Sequence, residues 1–238
     1  MLRTLETELL CRSEGIRRKG KFLWKQGTSP EQLCLFLDAE YYLEKMKVEE
    51  IVSRVVQSSS DPPLLFCFLS HGDSVQRHQD YTCNPLFAEF LATELTDWSR
   101  TQFPHLRQHD HLIAGLSLSG LQSAYTKLCY PRVFRSVISQ SGSFWWNEQW
   151  LRKQTGFSWE GRFYLSVGDQ EVTSGETHLP GKLYQGVSQL ESVTQLAHHL
   201  SSRKAELNFQ EYAGGHELAP WRSELEQALC WSLRRNSR

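Results

Sequence analysis

The sequence has no C-x-x-C pair. Its six cysteines, Cys11, Cys34, Cys67, Cys83, Cys129 and Cys230, are scattered, and several sit inside apolar runs such as Leu33-Cys34-Leu35-Phe36. There cysteine behaves as a small hydrophobe, which argues against a disulfide scaffold and fits a reducing compartment. His109-x-His111 and His198-His199 lack partners at zinc-like spacing, so no metal is expected. A basic excess is also missing: Lys and Arg number 26 against 27 Asp and Glu. That balance gives no electrostatic footprint for nucleic acid, and the short runs Arg17-Arg18-Lys19 and Arg234-Arg235 read as solvated surface. No apolar stretch approaches the roughly 20 residues of a membrane span. The first ten residues carry acidic side chains where a secretory leader needs an unbroken apolar stretch. No glycine-rich phosphate loop follows the early strands, and no cofactor is expected. These absences lead to the expectation of a soluble, cytoplasmic protein.

What is present suits a folded chain. The hydrophobic fraction is 39% and the aromatic fraction 12%, with eight Trp in 238 residues, enough to bury a sizeable core. No repeat, linker or low-complexity tract divides residues 1–238, so a single domain is expected. Strands are expected at Lys21–Lys25, Gln32–Leu37, Leu64–Ser70, His111–Leu116, Ser136–Gln140, Arg162–Val167 and Leu207–Tyr212. Helices are expected at Lys45–Gln57, Pro85–Thr101, Leu118–Tyr130, Asn147–Thr155, Gly186–Arg203 and Leu218–Leu233. The runs Leu-Cys-Leu-Phe-Leu and Leu-Leu-Phe-Cys-Phe-Leu are apolar without alternation, as in strands buried on both faces. Strand and helix alternate along the chain, which indicates an α/β fold with a mostly parallel, doubly wound sheet flanked by helices. Such sheets place their sites outside the carboxyl ends of the strands.

Three reactive residues fall there. Gly115-Leu116-Ser117-Leu118-Ser119-Gly120 spans a strand-to-helix junction, with a small residue two before the serine. That is the nucleophile-elbow arrangement, a turn so tight that its neighbours must be small. Ser117 is the expected nucleophile, and the N–H of Leu118, at the helix N-terminus, an expected oxyanion donor. The usual last position of G-x-S-x-G is glycine; here it is Ser119. Ser119 and Ser141 are rival serines, the first inside the opening helical turn, the second after a strand but without the preceding glycine. His216 follows the last strand in Ala213-Gly214-Gly215-His216, where an imidazole can take a hydroxyl proton and return it to a leaving group. The third member is sought after Arg162–Val167, where Asp169 and Glu171 both stand. Glu171 is preferred, Asp169 is the alternative, and a Ser–His dyad stays open. The order Ser, acid, His is that of α/β-hydrolases.

Four segments resemble one esterase family, that of the enterochelin (enterobactin) esterases, over nearly the whole chain. Gly115-Leu-Ser117-Leu-Ser-Gly120-Leu resembles its G-x-S-x-G-G-L elbow, and Ser139-Gln-Ser-Gly-Ser-Phe-Trp145-Trp146 its S-Q-S-G-S-x-W-W segment. Arg77-His-Gln-Asp80-Tyr-Thr-Cys-Asn84, with Glu94-Leu95, resembles its R-x-x-E-L-x-x-N and E-L-L-P pattern. Gly214-Gly215-His216-Glu217 with Trp221-Arg222 resembles its G-G-H-D and W-R ending. The resemblance implies an α/β-hydrolase fold and a serine carboxylester hydrolase with Ser117 as nucleophile, His216 as base and Glu171 as acid. Its substrates would be small-molecule esters, of siderophore type or with other aromatic or short acyl groups. Leu37-Asp38-Ala39-Glu40 resembles the family's L-D-G-x loop, which makes the N–H of Glu40 the second oxyanion donor, with Ala39 in place of the usual glycine. Arg77 looks like a substrate-pocket residue, with an ion pair to Asp80 as the other reading, and Trp145 like a pocket wall. The resemblance also leaves acyl transfer to a non-water acceptor open, and the altered Ser119 and Ala39 leave open a non-catalytic scaffold.

Overall fold

The computed structural model describes residues 1–12, 15–58 and 62–234. Arg235, the end of the second basic run, lies outside the described residues. Eight strands form one sheet in the order β1-β2-β4-β3-β5-β6-β7-β10. These are β1 (Leu2–Cys11), β2 (Ile16–Lys25), β3 (Gln32–Leu37), β4 (Leu64–Leu69), β5 (His111–Leu116), β6 (Phe134–Gln140), β7 (Gly161–Gly168) and β10 (Ala205–Tyr212). From β4 to β10 every pairing is parallel, whereas β1 and β2 join antiparallel at one edge. A separate hairpin, β8 (Glu176–His178) with β9 (Leu183–Gln185), lies between β7 and β10 in the chain.

The unalternating apolar runs have the expected cause. Along β3, Leu33, Leu35 and Leu37 enter one apolar cluster while Cys34 and Phe36 enter another. The first cluster holds Val193 and Leu196 of α7 (Gln189–Ser201) and Leu121 and Ala124 of α5 (Ser117–Cys129). The second holds Val52 and Val55 of α1 (Glu49–Ser58) and Leu225 and Leu229 of α8 (Leu218–Ser232). A sheet sandwiched in this way hides both faces, so polar alternation disappears from its central strands.

Several elements differ from expectation, each for a local reason. A π-helical turn, Glu40–Lys45, precedes α1, and Lys47 adopts a left-handed backbone (φ 49°), so the helix expected from Lys45 begins only at Glu49. The stretch expected as one helix from Pro85 is α3 (Pro85–Phe90), a π-helical turn (Leu91–Leu95) and α4 (Thr96–Gln102) in succession. Asn84 caps α3, its Oδ1 accepting from the N–H of Leu86 and Phe87, and proline takes the first turn. The short α2 (Ser74–Asp80) is capped by Asp73 and too polar to show apolar periodicity. In α6 (Trp146–Lys153), Asn147, Glu148 and Gln149 have left-handed backbones. The antiparallel β1, with Arg3, Glu6 and Glu8 among its exposed positions, was not expected. β2 begins five residues before the expected Lys21, and this changes the reading of its basic run. Arg17 and Lys19 are exposed, but Arg18 is 2% exposed and holds Asp80 through Nη2 at 2.8 Å. Among the described residues no helix is long and apolar enough to cross a membrane.

Candidate active site

The carboxyl ends of four parallel strands meet at one edge of the sheet. Leu116 of β5 pairs with Gln140 of β6, Gln140 with Ser166 of β7, and Gly168 of β7 with Tyr212 of β10. Ser117, Ser141, Glu171 and His216 all follow within a few residues of that line.

The turn from β5 into α5 is as tight as its spacing demands. Ser117 holds a left-handed backbone, φ 53°. A Cβ at Gly115 would lie 2.3 Å from the carbonyl oxygen of Ser119, and one at Gly120 2.6 Å from Ser139 Oγ. At Gly115 the clash is with backbone and only glycine fits, whereas at Gly120 a larger residue would require Ser139 to turn away. Ser119 explains its own departure from the motif: the N–H of Leu116 donates to its hydroxyl at 2.8 Å, and the hydroxyl donates to Leu116 O at 2.8 Å. It is fully buried and spent on closing the turn, which removes it as a rival nucleophile.

His216 and Glu171 are in direct contact, with Nδ1 2.6 Å from Oε2. The imidazole side chain is 42% exposed and the carboxylate 2%. Burial pushes the Glu171 carboxyl up, but His216 beside it, the Ser141 hydroxyl and the Gly168 N–H together hold it below its usual value. Asp169 does other work: exposed, it accepts from the N–H of Gly214 at 2.9 Å and ties the two loops together. Close approach is needed there too, since a Cβ at Gly168 would lie 2.2 Å from Gly214 O.

A cavity of about 550 Å³ is lined by Ser117, Leu118, Glu171, His216, Arg77 and Trp145, a size suited to a small molecule. The structure thus brings six of the expected site residues together. Glu40 is not among the lining residues. It borders a separate surface pocket with Ala39 and Ser70, and its own N–H lies against its own carboxylate. Arg77 does not pair with Asp80. Its Nε and Nη2 fork onto Asp38 at 2.8 and 2.6 Å, and its guanidinium lies 5.4 Å from the Tyr41 ring centre and 5.6 Å from that of Tyr81. Asp38 is fully buried; burial pushes its carboxyl up, and Arg77 and His71 pull it below its usual value. Asp80 is committed to Arg18 instead.

The sequence did not reveal the far wall. Trp145 is stacked on His178 of the hairpin at 5.1 Å and 25°, and its indole N–H donates to Gln189. His178 in turn contacts Gln185 at 2.8 Å. Three-residue strands carry no periodicity, so nothing in the pattern marked this hairpin. His71, also on the lining, sits with Nδ1 2.9 Å from both Asp38 and Glu40. Burial works against its charged form, yet the two carboxylates prevail and its pKa is pushed up to about 9. Among the described residues no group of three or more His, Cys, Asp or Glu side chains is placed to hold a metal ion.

A mostly parallel sheet wrapped by helices, with a left-handed serine at the β5–α5 turn and a histidine–carboxylate pair on the same cavity, defines an α/β-hydrolase. The chain belongs to an esterase family: the family profile described as "Putative esterase" matches residues 17–232. It is 28% identical over 224 residues to the iron(III) enterobactin esterase of Dickeya dadantii, covering 89% of this chain and 51% of that one. The chain spans about half the length of the curated relatives it matches. Among solved structures, the enterochelin esterase of Shigella flexneri superposes with a TM-score of 0.79 at 22% identity, over 95% of this chain and 57% of that one. A ferulic acid esterase superposes with a TM-score of 0.74 at 14% identity over 98% of both chains. The expected α/β-hydrolase fold and family are both met.

Proposed function

We propose that this chain is a serine carboxylester hydrolase that works through Ser117, His216 and Glu171 and an acyl-enzyme intermediate. The observation that carries the reading is the 2.6 Å contact of His216 Nδ1 with buried Glu171, on a cavity that Ser117 also lines from a left-handed backbone. Glu171 accepts a hydrogen bond from Nδ1–H, which fixes the tautomer that leaves the Nε2 lone pair to take the proton of Ser117. Ser117 Oγ adds to the ester carbonyl, and the Leu118 N–H, one of the unpaired donors of the opening turn of α5, stabilises the oxyanion. The tetrahedral species expels the alcohol, which takes its proton from His216. Water then repeats the sequence on the acyl-serine and releases the acid. Glu40 N–H serves as second oxyanion donor only if its own carboxylate withdraws from it.

Arg77 and Trp145 are the proposed substrate contacts, and the substrate class is a small ester with an aromatic or short acyl group, of which siderophore-type esters are one kind. Support comes from the aromatic and cationic lining and from relatives named as enterobactin esterases. A reducing, cytoplasmic setting is proposed as well: Cys34, Cys67 and Cys83 are buried thiols outside any disulfide.

The test is turnover of a chromogenic short-chain ester by wild type and Ser117→Ala, followed by a panel from acetyl to feruloyl esters and catecholate lactones. Ser117→Ala should lose activity by about 10³-fold or more. Equal rates would refute the reading.

A further inference from the structure

Glu171 meets more than the imidazole. Its Oε1 accepts from the Gly168 N–H at 2.8 Å, the Ser141 hydroxyl at 2.7 Å and the Tyr212 hydroxyl at 3.0 Å. Behind the two hydroxyls stands Trp221, whose Nε1 lies 3.0 Å from Ser141 Oγ and 2.8 Å from the Tyr212 oxygen. β7, the turn after β6 and β10 thus converge on one carboxylate oxygen, and α8 backs the two hydroxyls.

The direction of the protons follows from chemistry. An indole N–H only donates. Each hydroxyl that receives it spends a lone pair there and must send its own proton elsewhere. Ser141 has Glu171 Oε1 and the Tyr212 oxygen within reach, at 2.7 and 3.0 Å. Tyr212 has Glu171 Oε1 at 3.0 Å and Gly215 O at 3.3 Å. Both protons aimed at Oε1 give each hydroxyl its closest anionic acceptor. Oε1 is then saturated and Oε2 alone is left for His216.

The backbone is bent to allow it. Ser141 holds a left-handed conformation, φ 46°, uncommon for a residue with a side chain. Its N–H donates to Ser166 O at 2.8 Å, and Gln189 donates to its carbonyl. Trp221 contributes twice, since its ring also meets that of His216 edge-on, centres 4.8 Å apart at 89°.

We propose that Ser141, Tyr212 and Trp221 are positioning residues that hold Glu171 ionised with one oxygen saturated, so that it orients the His216 imidazole without taking its proton. The inference rests on the Ser117–His216–Glu171 reading. The serine that rivals Ser117 in the sequence thus serves the acid and is no nucleophile. Glu171 is the charged group in contact with the imidazole; Glu224, bound by Gln140 and Ser166, stands near enough to Glu171 for their charges to repel.

The test compares wild type with Ser141→Ala, Tyr212→Phe, Trp221→Phe and Ser117→Ala on a chromogenic short-chain ester across pH 5 to 9. Removal of a donor concentrates charge on Glu171, which then holds the imidazolium proton more firmly. Ser141→Ala and Tyr212→Phe should each lower kcat about tenfold, with KM held within about twofold. The low-pH limb of kcat/KM should move up by about half a pH unit. Trp221→Phe, which keeps a ring against His216, should shift the limb in the same direction and by less. A merely structural role would lower stability and leave the limb in place. Should Ser141→Ala fail to fold, Tyr212→Phe, which removes one oxygen atom, decides alone. An unmoved limb with kcat within twofold of wild type, while Ser117→Ala is dead, overturns this inference and spares the parent reading. Full activity in Ser117→Ala overturns both.

Discussion

At the scale of single residues, the site depends on small side chains doing definite jobs. Ser119 is the clearest. In the motif it looks like a weakened glycine, yet its hydroxyl both receives from and donates to Leu116. Ser119→Ala leaves a buried N–H and a buried carbonyl without that partner, at a cost of about 1–3 kcal/mol, read by urea unfolding. Activity should fall as well, because the same turn sets the backbone of Ser117; unchanged stability would mean that the hydroxyl is dispensable. His71 offers a test in pH. Its folded pKa, about 9, lies above the ordinary 6.5, so the charged ring binds its proton more tightly in the folded state. The stability it adds is therefore fully present below pH 6.5 and lost as pH rises through about 9. Wild type should exceed His71→Gln in unfolding midpoint at pH 6, and the gap should close by pH 10. A gap independent of pH would assign the contact to packing and not to charge. Glu224 runs the other way from a paired carboxylate: burial raises its pKa despite the Ser166 and Gln140 donors, so ionisation costs stability as pH rises above the ordinary carboxylate range. Glu224→Gln, whose Oε1 can still accept from both, should gain stability relative to wild type at pH 8 and lose that gain toward pH 4.

At the scale of elements, what was legible in the sequence was what repeats. Six-residue apolar runs with both faces buried, as in β3 and β4, and a long helix with a capped start, as in α7 behind Ser188, carry strong signals. So did the glycine spacing of the elbow, because steric exclusion at Gly115 acts on residue type directly. The hairpin β8–β9 and the seven-residue α2 left no such trace, and both wall the cavity, since His178, Gln185, Ser74, Arg77 and His78 line it. The partners of Arg77 were out of reach for the same reason. Nothing local links residue 77 to residue 38, and it is the fold of β3 beside β4 that brings them together. The same holds for Arg18 and Asp80, 62 residues apart, which join β2 to α2. With side chains 2% and 0% exposed, this pair cannot be halved cheaply. Asp80→Ala strips the main partner from a buried guanidinium and should cost about 3–5 kcal/mol. It should also raise KM for esters, because α2 carries Arg77. A loss below about 1 kcal/mol would show that water reaches the pair and screens it.

At the scale of the whole molecule, the proposed chemistry draws on residues 117 to 216 and on both helical layers. Leu118 of α5 lies on the face shared with α7, whereas Trp221 of α8, which holds Ser141 and Tyr212, lies on the opposite face. Each central strand gives alternate side chains to both clusters, so removal of either layer exposes half of every strand. Such an arrangement should therefore unfold as one cooperative unit. Far-ultraviolet circular dichroism, tryptophan fluorescence and the reactivity of Ser117 toward a fluorophosphonate probe should accordingly be lost at one urea midpoint. The hairpin β8–β9 is the exception, with Leu179 and Tyr184 exposed and a single short ladder. Its amides should exchange by local opening, well before those of β5 and β6, whose exchange should track global unfolding. Loss of fluorophosphonate reactivity at lower urea than the circular dichroism signal would separate the site from the sheet. In that case the carboxyl-end turns, and not the two clusters, would set how long the cavity survives.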